Sequence, residues 1–307
     1  MDSKCAAFWH HTNLRSDNRV FPCCRFKTPI AKFDGDVSQV LFYKEYENLR
    51  QLSSEGTSIA DCEKCYYEES LGKQSLRQRF NETYDCDNIS LEYLEIGFDN
   101  ICNLTCDGCW EEFSSAWAKK KYPENKTTWI HSSTEITNIP DSINKVLFLG
   151  GEPLMSNRHL KFLNLVKNSR NVEIIYNTNG TFLLDQPTID KLKQFKQATF
   201  ILSIDGYADL NERVRSGSKW VDVLNFIEQI QSLNFILEVN SVIHLNNWHG
   251  LKDLTDFVRS LNVTWTTNAL TYPEHLSIKN ISNKQDFINL IEPLDIPNRD
   301  YLINFVS

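Results

Sequence analysis

The sequence lacks several features that would have set its class at once. No stretch approaches the roughly eighteen uninterrupted apolar residues of a bilayer-crossing helix, so no membrane span is expected. The chain opens MDSKCAAFWHHTN. That opening lacks the basic-then-apolar pattern of a secretory signal, and the cytoplasm becomes the expected compartment. Positive charge is in deficit: 32 Lys and Arg stand against 40 Asp and Glu, for a net charge of −8. Wrapping nucleic acid requires phosphate neutralisation, so a nucleic-acid partner is not expected. Short basic stretches such as Lys119–Lys121 read as solvated surface. Internal repeats and low-complexity segments are also missing.

Cysteine is the residue in excess. There are nine, an odd number, gathered in three places. A reducing compartment disfavours disulfides. Clustered thiols there point to a metal or an iron–sulfur cluster.

Residues 87–272 alternate strand-like runs with amphipathic stretches. The strand candidates are 91–98, 145–151, 172–180, 198–205, 235–245 and 263–270, rich in Ile, Val, Phe and Tyr. Between them, 157–169, 188–196, 219–233 and 248–261 carry apolar residues at helical spacing. Strands alternating with helices predict an α/β fold with a parallel sheet built from right-handed crossovers. Six such strands predict an open, partial (β/α)6-type barrel. Residues 1–86 carry Cys5, Cys23, Cys24, Cys62, Cys65 and Cys86 with little periodicity, and are expected to form a small N-terminal cysteine-rich domain. Residues 273–307 read as a packed C-terminal extension.

The strongest chemical signal is ICNLTCDGCW, which places Cys102, Cys106 and Cys109 in a C-x3-C-x2-C loop after the first strand. Thiolates hold iron–sulfur cubanes, and three thiolates leave one iron open to a substrate or cofactor. A zinc knuckle, with Cys86 as fourth ligand, is the alternative. It would make the chain a zinc-stabilised binding module without catalysis. Gly150, Gly151, Glu152 and Pro153 follow the second strand. Glycines permit close backbone approach, and a carboxylate suits an ammonium group. Polar residues also close the later strands, at Asn179, Ser203 and Asp205, with Arg215 in the next segment and Asn240 and Val242 on the fifth strand. Ligand-binding residues gather at such strand ends in parallel α/β architectures.

The three-cysteine loop with GGEP on the next strand end resembles the radical S-adenosylmethionine (SAM) superfamily. Gly108 stands where many members carry an aromatic, and Trp110 follows Cys109 instead. The resemblance implies a [4Fe–4S] cluster on Cys102, Cys106 and Cys109 whose open iron chelates SAM. It further implies cleavage of SAM to a 5′-deoxyadenosyl radical that takes hydrogen from substrate. Gly150, Gly151, Glu152, Pro153, Asn179, Ser203, Asp205, Arg215 and Val242 are the SAM-contacting positions it implies. The upstream pieces also match a pattern. Cys5 with Trp9, Pro22-Cys23-Cys24, Cys62-x2-Cys65-Tyr66 and Phe113-Ser114-Ser115-Ala116-Trp117 look like the twitch-domain, SPASM-related members of that superfamily. This implies a second, auxiliary [4Fe–4S] cluster on Cys5, Cys23, Cys62 and Cys65, with Cys24 able to replace Cys23. It implies an oxidation or modification of a small metabolite, sugar or peptide. A one-electron donor such as flavodoxin or ferredoxin is the implied partner.

Overall fold

The computed structural model describes residues 4–307. The described strands are β1 (His11–Leu14), β2 (Arg19–Phe21), β3 (Ala31–Lys32), β4 (Tyr93–Gly97), β5 (Thr105–Cys106), β6 (Lys145–Leu149), β7 (Glu173–Thr178), β8 (Gln197–Ser203), β9 (Arg215–Ser216), β10 (Ile236–Ile243) and β11 (Thr264–Ala269). The six strands expected from the sequence are β4, β6, β7, β8, β10 and β11, each within two residues of its predicted ends. The expected helices form at Arg158–Leu165, Gln186–Leu192, Trp220–Ser232 and Leu251–Leu261. Two more, Lys284–Ile291 and Arg299–Val306, build the C-terminal segment. No described helix is long and apolar enough to cross a membrane.

The chain divides into two compact units. The first takes Met1–Asn100, His131–Ile175 and Pro187–Ala198; the second takes Ile101–Ile130, Tyr176–Gln186 and Thr199–Ser307. β7 begins among residues of the first and ends among residues of the second.

In the first unit the strand order is β3-β2-β1-β4-β6. β4 runs parallel to both β1 and β6, with Asn13 beside Glu95 and Glu95 beside Leu147. β1, β2 and β3 are antiparallel. Strands of two to four residues are too short for a period of two to emerge from sequence, which is why this region read as irregular. Alternate residues Leu94, Ile96, Val146 and Phe148 are fully buried. Phe148 packs against Phe98 and against Phe162 of the helix Arg158–Leu165, with ring centroids 5.8 and 5.6 Å apart. The helix Leu76–Thr83 starts in a capping box, with Ser75 and Gln78 each bonding the other's backbone.

In the second unit β8, β10 and β11 run in parallel order. β10 buries Leu237, Val239, Ser241 and Ile243 and turns Glu238, Asn240 and Val242 to its more open face. The helix Leu251–Leu261 buries Leu251, Leu254, Thr255 and Val258, a single stripe at helical spacing, and ends on left-handed Asn262. The result is a mixed α/β fold whose strands are mostly parallel, as the strand–helix alternation predicts.

Candidate active site

The loop Cys102–Cys109 belongs to the second unit and is pinned at both ends. The Cys102 N–H donates to Ser115 Oγ (3.1 Å), and Ser114 Oγ donates to Leu104 O (2.7 Å). Trp117 Nε1–H donates to Cys106 O (2.9 Å). The helix Ser115–Lys121, capped by Ser114, therefore clamps the loop from behind. On the other side β5 pairs antiparallel with β9, so Cys106 lies beside Arg215. Asp107 N–H donates to Val214 O (2.8 Å), and Asn246 Nδ2 donates to Asp107 Oδ2 (2.8 Å). Trp110 packs edge-on against Phe113 and Tyr272, each at 4.9 Å. Burial pushes the Cys106 thiol up to about 11 and the Cys109 thiol up to about 12, with Arg215 opposing in both cases. Such thiols become thiolates when a bound cation supplies the compensating charge.

Asp205 and Arg215 form the electrostatic centre of this unit. Arg215 Nη1 donates to Asp205 Oδ2 at 2.7 Å, with side chains 12% and 8% exposed. The second carboxylate oxygen accepts from Val242 N–H (2.8 Å), and the Asp205 N–H donates to Asn211 Oδ1 (3.0 Å). Burial opposes the Arg215 charge, but Cys106 when ionised and the Asp205 carboxylate outweigh it, and the guanidinium is held protonated. Its Nε is buried without a hydrogen-bond partner, and an acceptor on a bound molecule would satisfy it. Asn247 ties the strand ends together by donating to Asp205 O and Val242 O, both at 2.8 Å. His244, nearly inaccessible, is kept below its usual value, first by burial. Asn179 Nδ2 donates to Asn103 Oδ1 (3.0 Å), joining the end of β7 to the cysteine loop. Ser203 ends β8.

Gly150–Pro153 lies in the first unit. Gly150 has φ +119°, and a Cβ there would sit 2.5 Å from Asp99 O. Only glycine fits that turn. Gly151 N–H donates to the same carbonyl (3.0 Å). Glu152 is buried and caps the short 3-10 turn Pro153–Met155, accepting from Leu154 N–H (3.2 Å). The carboxylate thus has a local structural job as well as its expected ligand role.

The upstream cysteines are gathered in the first unit. Cys5, Cys23, Cys62 and Cys65 line one cavity, with Ala7, Phe8, Phe26, Leu76 and Phe80 as its apolar wall and Arg25 and Arg77 as its cations. Cys24 is exposed, is absent from that lining and interacts electrostatically with Glu95. Adjacent residues point apart, so Cys23 faces the cavity and Cys24 does not. Cys86 packs half-buried against the same apolar cluster. His10 and His11 bond backbone carbonyls of Ser90, Asp85 and Pro22. Cys62 and Cys65 sit at the start of the helix Glu63–Ser70. Burial pushes Cys62 up to about 12 and raises Cys65. Among the described residues, no three His, Cys, Asp or Glu side chains stand close enough to share a single metal ion.

Within the second unit, then, the structure brings together Cys106, Arg215, Asp205 and Val242. In the first it brings together the four thiols. Asn103, Asn211, Asn247 and His244 were not singled out from sequence, because an asparagine that ties loops carries no local pattern. Arg25 and Arg77 were missed for the same reason.

Comparison with known proteins adds the family. The model of the radical SAM superfamily matches residues 97–258. A probable GTP 3′,8-cyclase of Methanococcus aeolicus is 26% identical over 188 residues, covering 58% of this chain and 59% of that one. A GTP 3′,8-cyclase of Nautilia profundicola is 25% identical over 209 residues, covering 63% and 61%. The chain thus spans about three fifths of the length of these relatives. Among solved structures, Streptococcus suis SuiB bound to S-adenosylmethionine is similar at 14% identity and TM-score 0.43, over 81% of this chain and 49% of that one. The structure of anSMEcpe with bound AdoMet is similar at 18% identity and TM-score 0.43, over 66% and 60%.

Proposed function

The chain belongs to the radical SAM superfamily, and on that premise we propose that it cleaves SAM reductively and uses the resulting radical to take hydrogen from a substrate. The observation that carries this reading is the clamped Cys102–Cys109 loop with the buried Arg215 beside Cys106. The donor set fits a cluster, since it consists of thiols alone with a cation against them. A [4Fe–4S] cluster there would supply the electron for SAM cleavage and an open iron to chelate SAM. Cys102, Cys106 and Cys109 hold that cluster. Arg215 stays charged and offers its buried Nε to an acceptor such as the SAM carboxylate. Asp205 fixes the guanidinium, and the Val242 backbone fixes Asp205. Asn179 and Ser203 are the remaining polar contacts.

The four thiols around one cavity support an auxiliary [4Fe–4S] cluster on Cys5, Cys23, Cys62 and Cys65. An auxiliary cluster suits a net oxidation or modification of a small metabolite, sugar or peptide. A flavodoxin- or ferredoxin-type protein serves as electron donor. The names of the two relatives favour a second reading, a cyclase-type reaction on a nucleotide.

The test is anaerobic purification followed by iron and sulfide counting. About eight of each per chain supports two cubanes. SAM and dithionite then yield 5′-deoxyadenosine, and the Cys102→Ala/Cys106→Ala/Cys109→Ala variant yields none. Replacing Cys23 by alanine lowers the count to about four irons, whereas Cys24→Ala keeps about eight. A colourless zinc protein without nucleoside product sinks the reading. Loss of GTP on incubation with SAM and reductant selects the cyclase reading.

A further inference from the structure

The cavity lined by the four thiols has a cationic shell that nothing in the three-cysteine site requires. Arg77 is held at every guanidinium nitrogen: Nη2 and Nε donate to Glu69 (2.6 and 3.1 Å), and Nη1 donates to Lys4 O (3.0 Å). Its side chain is 9% exposed. Arg25 Nη2 lies 3.5 Å from Glu68 Oε1, and Lys73 Nζ lies 3.6 Å from the same oxygen. Glu68 is almost fully buried, so one carboxylate is shared by two cations. Arg25 and Arg77 line the cavity itself, so two guanidinium groups, each aimed by a carboxylate of one helix, face the four thiols across an apolar wall. Cations held in place beside an apolar cavity favour an anionic occupant. The helix Glu63–Ser70 carries both the acids that aim these arginines and the thiol Cys65. Arg77 acts electrostatically on Cys5 and Cys62, and Arg25 acts on Cys65.

We propose that Arg25 and Arg77 are positioning residues that neutralise the four-thiolate group in this cavity and raise its reduction potential. The inference rests on the auxiliary-cluster reading above. Reduction adds one electron, and so one negative charge, to a group already made anionic by its thiolates. Fixed cations in an apolar surround favour that reduced state more strongly than they would in water. The arginines neither gain nor lose a proton in the process. The potential is therefore tuned toward accepting an electron, which suits a site that drains one from a substrate radical.

The experiment uses the full chain in the Cys102→Ala/Cys106→Ala/Cys109→Ala background, so that only the auxiliary cluster remains. Its midpoint potential is read by dye-mediated titration with electron paramagnetic resonance. Arg25→Gln and Arg77→Gln are each expected to lower the potential, with the double variant shifting the reduction equilibrium at least tenfold, or about 59 mV. Arg25→Lys and Arg77→Lys restore most of it, because charge rather than shape is what counts. Glu68→Gln, which frees the cations, shifts it the opposite way. That reversal gives a readout even where an arginine variant folds poorly, since a purely structural role predicts no rise. Four irons retained with flat potentials in the glutamine variants and in Glu68→Gln overturn the inference alone. A wild-type chain holding only about four irons in total sinks the auxiliary-cluster reading itself.

Discussion

Asp205→Asn isolates the buried ion pair that organises the second unit. Asp205 uses both oxygens, one on Arg215 Nη1 at 2.7 Å and the other on Val242 N–H at 2.8 Å. Asparagine keeps the shape but has one oxygen for two donors. Its amide must turn N–H groups either toward the guanidinium or toward the Val242 N–H. The substitution therefore costs a hydrogen bond and leaves Arg215 charged, buried and without its counter-ion. Breaking a buried pair from one side costs about 3–5 kcal/mol. At about 2–4 °C per kcal/mol for chains of moderate size, the midpoint of thermal unfolding falls by roughly 6–20 °C. The assay is thermal unfolding of cluster-free protein followed by circular dichroism, so that cluster loss does not enter the reading. Adding Arg215→Met to Asp205→Asn removes the orphaned charge, and the double variant recovers most of the loss. A single variant within about 1 kcal/mol of wild type would refute the reasoning. So would a double variant no more stable than the single.

Two further outcomes follow from the same geometry. Gly150→Ala places a methyl group 2.5 Å from Asp99 O at φ +119°, so the turn must move; soluble yield and SAM binding both fall, and a variant matching wild type in calorimetry and SAM affinity contradicts the steric argument. His244 is depressed by burial below its ordinary value of 6.5, so the unfolded chain binds a proton more readily than the folded one. Its contribution to stability is present above pH 6.5 and is lost as pH falls through the lower folded value. Melting temperature measured from pH 7.5 down to 5 is expected to drop less steeply in His244→Gln than in wild type, whereas identical slopes would remove His244 from the account.

Much of this protein is determined by local sequence. A strand such as Ile236–Ile243 declares itself because alternate residues face opposite ways, and a helix such as Leu251–Leu261 because its apolar stripe repeats at helical spacing. The Cys102–Cys109 loop and Gly150–Pro153 are equally local, since their chemistry lies in residues a few positions apart. Tertiary structure decided what depends on distant partners. β1 joins β4 across some eighty residues of sequence, and its four residues are too few to show a period. Cys23 and Cys24 are indistinguishable as letters; they differ only because successive side chains diverge, one into the thiol-lined cavity and one toward Glu95. Arg215 was legible as a candidate, but its pairing with Asp205 was not. Arg25 and Arg77 were not legible at all, because an arginine in sequence is a solvated charge until the fold buries it beside thiols. Spacing along the chain thus determined which groups are present. Packing decided their electrostatics, because burial and the partners it brings set which charges persist and where they act.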